Sequence, residues 1–209
     1  MTHSKPVVRT LGLPLREARA AMIMLHGRGA TAESILTLAD AIHAPGFAYL
    51  APQAPGGTWY PFSFLAPLDR NEPALSAALA TVGALVDSVT AAGLGPERAF
   101  LLGFSQGACL ALEYAARHAR RYGGLVGLSG GLIGPEGTPR DYGGTLDGTP
   151  VFLGCSEVDP HVPAERVRET VRVLERLGGR VTMRLYPGTA HAVNEDEIGA
   201  VRGLLASPA

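Results

Sequence analysis

A chain of 209 residues is long enough to bury one hydrophobic core and short for two. With 46% apolar residues it has the make-up of a globular protein, and a formal net charge of -1 gives no basis for a nucleic-acid or anionic-membrane partner. Two cysteines are too few for a disulfide framework.

Cys109 and Cys155 lie in apolar stretches and are expected to stay reduced in a cytoplasmic protein. No Cys-x-x-Cys or His-Glu-x-x-His spacing occurs, so no metal site is expected. Residues 1–6, with Lys5 as the sole lysine, lead into no long apolar segment, so neither a signal peptide nor stable membrane insertion is expected.

In chain order, residues 7–11 read as a short edge strand closed by Gly12 and Pro14. Ala20–Leu25 is continuously apolar, as a strand buried on both faces must be, and runs into His26-Gly27-Arg28-Gly29. Ile35, Leu38 and Ile42 set one helical face in residues 31–43, and a strand follows over 47–51. The aromatic cluster Trp59, Tyr60, Phe62, Phe64 either fills the core or borders the mouth of a site. Residues 71–92 predict a long helix capped by Asn71, with Pro73 in its first turn.

An apolar strand over 99–102, Gly103-Phe104-Ser105-Gln106-Gly107, and an Ala/Leu-rich helix over 109–121 follow. Gly-x-Ser-x-Gly between strand and helix is the nucleophile elbow of α/β-hydrolases, which lifts the serine hydroxyl above the sheet on a strained turn. Gly124–Leu128 and residues 149–154 are two more core strands, and 132–148, rich in Gly, Pro and charge, reads as a surface loop between them. Residues 163–177 form a helix with Val167, Val171 and Leu174 inward. Arg180–Tyr186 alternates with period two, as a strand near the sheet edge does. Asn194 and Glu197 form a capping-box pair that opens a last helix. Strand–helix alternation gives a three-layer α/β sandwich, with a mostly parallel sheet and helices on both faces, as one domain over 1–209 without a separate lid.

A serine hydroxyl needs a base within hydrogen-bond reach, and the base an orienting carboxylate. His191, in a late loop after a sheet strand, is the first choice of base, with His161 second; His118 sits about three turns down the elbow helix, at the wrong end. Asp159 is the chosen acid because it follows a core strand by a short loop, with Glu157 as rival. Asp147 precedes that strand and belongs at the opposite end, and Asp196 serves better as a helix N-terminal charge. The oxyanion needs two donors: the backbone N–H of Gln106, and one from the loop His26-Gly27-Arg28-Gly29.

These features together resemble the phospholipase/carboxylesterase family of α/β-hydrolases, which includes acyl-protein thioesterases and small-ester hydrolases. The similar elements are Leu25-His26-Gly27 with Gly29, Gly103-Phe104-Ser105-Gln106-Gly107-Ala108, Asp159-Pro160-His161-Val162-Pro163, and Tyr186-Pro187-Gly188 before His191. The resemblance implies a triad of Ser105, Asp159 and His191, oxyanion amides on Arg28 and Gln106, a small ester substrate, no cofactor, and a homodimer. A serine carboxylesterase is the expected function, with a thioesterase or lysophospholipase as the alternative and an idle binding protein as the remote one. Arg28 stands where the family often has a hydrophobic residue, and the tryptophan loop is altered to Thr58-Trp59-Tyr60-Pro61-Phe62. Arg28, Trp59, Tyr60 and Phe62 are therefore the candidate pocket residues. The Arg28 side chain is expected either to favour a substrate bearing a carboxylate or another polar group, or to face solvent or pair with an acid such as Glu33.

Overall fold

The computed structural model describes residues 7–206, so the reading of residues 1–6 lies outside the described residues. Seven strands form one sheet: β1 (Val8–Gly12), β2 (Ala20–Leu25), β3 (Phe47–Pro52), β4 (Ala99–Phe104), β5 (Gly124–Leu128), β6 (Pro150–Ser156) and β7 (Arg180–Tyr186). Their spatial order is β1-β3-β2-β4-β5-β6-β7. β1 pairs antiparallel with β3, and every other neighbour is parallel. The chain is an α/β-hydrolase fold.

The strands without polar alternation still have two faces. Ile23, Leu25 and Leu101 join the core beneath α2 (Ala74–Ala91), α3 (Gln106–Arg117) and α4 (Ala164–Arg176). Met22, Met24 and Leu102 join the core beneath α1 (Ala32–Ile42) and α5 (Glu195–Ala206). Period two along the strand thus divides the apolar residues between two helical layers. At the sheet edge, β7 keeps the alternation of half-buried and exposed residues that its sequence predicts.

Several local expectations are corrected. Asn71 does not cap α2; it ends a short 3₁₀ turn (Leu68–Asn71) and is buried, while the Glu72 carboxylate accepts the Ser76 N–H instead (3.1 Å). α2 is long and apolar enough to cross a membrane by length and composition, yet its Leu75, Val82, Val86 and Val89 are wholly buried in the protein core. α3 starts directly after the serine and stops at Arg117, where His118 caps it and stacks on Tyr114. In α4 the inner face carries Arg166, Thr170 and Val173 beside Val167 and Leu174, leaving Val171 on its shoulder.

Residues 132–148 are not a loose surface loop. Leu132, Ile133 and Leu146 are fully buried. The Leu132 and Ile133 amides donate to Thr170 Oγ1 and Glu113 Oε2, both at 3.0 Å. Arg166 donates to the Leu132 carbonyl (2.8 Å) and Arg140 to the Ile133 carbonyl (2.6 Å). Buried charged side chains here replace the backbone ladder that regular structure would supply.

Candidate active site

Because β2, β4, β5, β6 and β7 run parallel, their carboxyl ends meet at one sheet edge, where open α/β sheets form their crevices. β4 delivers Ser105 there, β6 delivers Asp159, and β7 delivers His191. Ser105 adopts φ 55°, ψ -119°, a backbone state costing about 1–3 kcal/mol for a non-glycine residue. Close approach of the flanking backbone accompanies it. A Cβ on Gly103 would strike the Gly107 backbone, and one on Gly107 would strike the Leu25 and His26 carbonyls.

His191 Nε2 lies 2.8 Å from Ser105 Oγ, and its Nδ1 lies 2.7 Å from Asp159 Oδ2. The Asp159 side chain has no exposed surface and that of His191 is 18% exposed. Burial works to raise the Asp159 carboxyl, but hydrogen bonds from the His191 ring and the His161 and Val162 amides outweigh it and hold the group below its usual range. An ionised carboxylate accepts from Nδ1–H, which leaves Nε2 free to accept the serine proton.

The alternatives do not take the triad positions, although His161 lines the same cavity. Glu157 is exposed. The His161 ring sits edge-on to His191 at 4.8 Å. Asp196 accepts from Arg184 and the Tyr186 hydroxyl, both at 2.7 Å. Asn194 and Glu197 make the reciprocal capping bonds at the start of α5, 2.8 and 2.9 Å.

A cavity of about 520 Å³ opens onto Ser105 and His191. Arg28, Tyr60, Phe64, Phe104, Gln106 and Val162 contribute to its wall. Among the described residues, neither the Arg28 nor the Gln106 backbone N–H has a protein acceptor. Both residues line the cavity together with Ser105. Of the aromatic candidates, Tyr60 lines the cavity, whereas Trp59 is buried behind it and Phe62 is 42% exposed, covered by the Arg70 guanidinium.

The side chains of Gln106 and His26, given no role from sequence, and that of Arg28 hold this wall. Gln106, valued only for its amide, accepts the Trp59 N–H (3.0 Å) and donates to the Tyr60 carbonyl (2.8 Å). His26 is buried with Nδ1 against its neighbour's Gly27 carbonyl (2.8 Å) and Nε2 accepting the Ala54 N–H (3.1 Å). Arg28 does not reach Glu33, which pairs with Arg9 at 2.6 Å. Its guanidinium instead donates to the carbonyls of Tyr60 (2.9 Å), Pro61 (2.8 Å) and Phe62 (2.7 Å). Among the described residues no group of three or more His, Cys, Asp or Glu side chains is set to hold a metal.

The family model described as Phospholipase/Carboxylesterase matches residues 11–207. A crystal structure of a phospholipase/carboxylesterase from Dyadobacter fermentans superposes with a TM-score of 0.94 at 45% identity, covering 99% of both chains. Carboxylesterase SOBER1 of Arabidopsis thaliana is 26% identical over 200 residues, 87% of each chain. Acyl-protein thioesterase 1 of Gibberella zeae is 34% identical over 124 residues, 58% of this chain and 52% of that one, so the match spans about half the relative's length.

Proposed function

We propose, for a chain that belongs to the phospholipase/carboxylesterase family and is a serine hydrolase, that it hydrolyses small or medium carboxylic esters through an acyl-enzyme on Ser105. The observation that carries this reading is the chain of contacts Ser105 Oγ–His191–Asp159 at 2.8 and 2.7 Å. His191 takes the hydroxyl proton as Oγ attacks the ester carbonyl, and the Arg28 and Gln106 amides receive the oxyanion. The protonated ring then gives its proton to the departing alcohol. Water repeats the sequence on the acyl-enzyme and restores the serine. Asp159 fixes the ring and stabilises its cation.

The thioesterase reading uses the same residues and draws on the similarity to acyl-protein thioesterase 1. A compact cavity with Arg28, Ser63 and two histidines in its wall favours short acyl groups over a long alkyl chain. One domain with no separate lid is the arrangement we assign, since the cavity is bounded by the sheet-edge loops themselves. Buried, unpaired Cys109 and Cys155 support a reducing, cytoplasmic setting.

A panel of matched 4-nitrophenyl esters and acyl thioesters from two to sixteen carbons tests both readings against the wild type and Ser105→Ala. Ester turnover that peaks at short chains and is lost, by about 10⁶-fold in kcat, in the variant is the expected result. Activity confined to long thioesters would replace the ester reading, and full activity in Ser105→Ala would end both.

A further inference from the structure

Resting on the esterase reading, we infer that Arg28 selects substrates carrying a carboxylate close to the scissile ester. Arg28 is exposed and is one of the residues that line the same cavity as Ser105 and His191. Its fork is fixed by three carbonyl acceptors at 2.7–2.9 Å, on Tyr60, Pro61 and Phe62. Carbonyl dipoles orient a guanidinium but do not cancel its charge. Of the five N–H groups of an arginine, three are engaged; the Nε–H and one Nη1–H remain for another acceptor.

The surroundings leave that charge uncompensated. Among the described residues no Asp or Glu lines the cavity, and the Asp159 side chain, bonded to the His191 ring, has no exposed surface. Glu33, five residues along the chain, is already paired with Arg9. Among the described residues no carboxylate pairs with Arg28. A guanidinium held at the cavity's rim can meet a carboxylate through single charge-assisted bonds from its free N–H groups, and a neutral group of the same shape gains less. Holding the fork in place beforehand also removes the side-chain ordering that such a contact otherwise costs.

Two substrate pairs test this, each an anion against its uncharged carboxamide isostere. With the charge on the acyl side, 4-nitrophenyl hydrogen glutarate is compared with 4-nitrophenyl glutaramate. With the charge on the leaving group, 3-carboxyphenyl acetate is compared with 3-carbamoylphenyl acetate. The wild type should prefer the anion by about tenfold in kcat/KM in at least one pair, and the pair that responds identifies the side. The preference should shrink when salt is raised to about 0.5 M, where exposed charges are screened. In Arg28→Met the ratio should fall to about one, while Arg28→Lys retains part of it. Loss of the loop clasp alone would lower both members of a pair equally and leave the ratio unchanged; that result, or a wild-type ratio of one or less in both pairs, overturns the inference. Ser105-dependent turnover of the carboxamides keeps the esterase reading standing in that event.

Discussion

The Trp59 indole N–H donates to the His26 carbonyl at 2.8 Å, and the two rings lie 5.0 Å apart, centre to centre. This contact joins the loop that carries the Arg28 amide to the loop that walls the cavity. Gln106 and the Arg28 guanidinium bind the same second loop from other sides. The His26–Arg28 loop and Gln106 are thus tied to one aromatic segment.

His26 should therefore act as a positioning residue with its own pH signature. Burial, foremost, lowers its pKa from 6.5, against the Gly27 carbonyl and Glu33, which pull it upward. The depressed folded value means that the neutral ring stabilises the native state fully above about pH 6.5, and that this contribution is lost as pH falls through the folded value. Thermal melts between pH 5 and 8 should show wild-type stability declining on the acid side. His26→Gln should flatten that decline and lower kcat by about tenfold or more through a misplaced oxyanion loop. Parallel pH–stability curves in the two proteins would remove His26 from this role.

For Asp159→Asn, kcat should drop by about 10⁴-fold, because a carboxamide stabilises neither the required tautomer nor the imidazolium. The folded carboxyl is held below its ordinary 3.8, so the stability it contributes is complete above that value and vanishes as pH falls through the lower folded one. Urea unfolding of wild type and variant should differ by a constant amount above about pH 5 and converge in stronger acid. A gap that widened on acidification would contradict the assignment.

Glu113 is the test of the 132–148 segment. Its buried carboxylate meets Arg117 Nε (2.7 Å), the Ile133 amide (3.0 Å) and the Tyr142 hydroxyl (3.1 Å). Glu113→Ala strands these partners and should cost about 3–5 kcal/mol in chemical denaturation, with Glu113→Gln costing less. A loss below about 1 kcal/mol for the alanine variant would mean that the segment is held by apolar burial alone.

Much of the molecule was legible in the order of residues. Ala20–Leu25 and Gly124–Leu128 announced themselves as continuous apolar runs, and Arg180–Tyr186 by its alternation. The elbow is local only in part: Gly103 is required by the Gly107 backbone four residues on, whereas Gly107 is required by the Leu25 and His26 carbonyls of a distant stretch of chain. Asn71 misled for a related reason: a polar residue before a helical run looks like a cap, but its amide instead accepts the Phe62 N–H (2.9 Å) and donates to the Ser63 carbonyl (3.1 Å).

The sequence by itself determined the sheet, its helical layers and a serine raised at the end of a strand, because each rests on periodicity or on sterics among near neighbours. The sequence named His191 and Asp159 with His161 and Glu157 as rivals; the tertiary structure decided between them, and decided where the Arg28 charge goes. Those contacts join residues 32, 33 and 86 positions apart. A polar side chain in a loop carries no mark of its distant partner until parallel strands bring the loops to one edge.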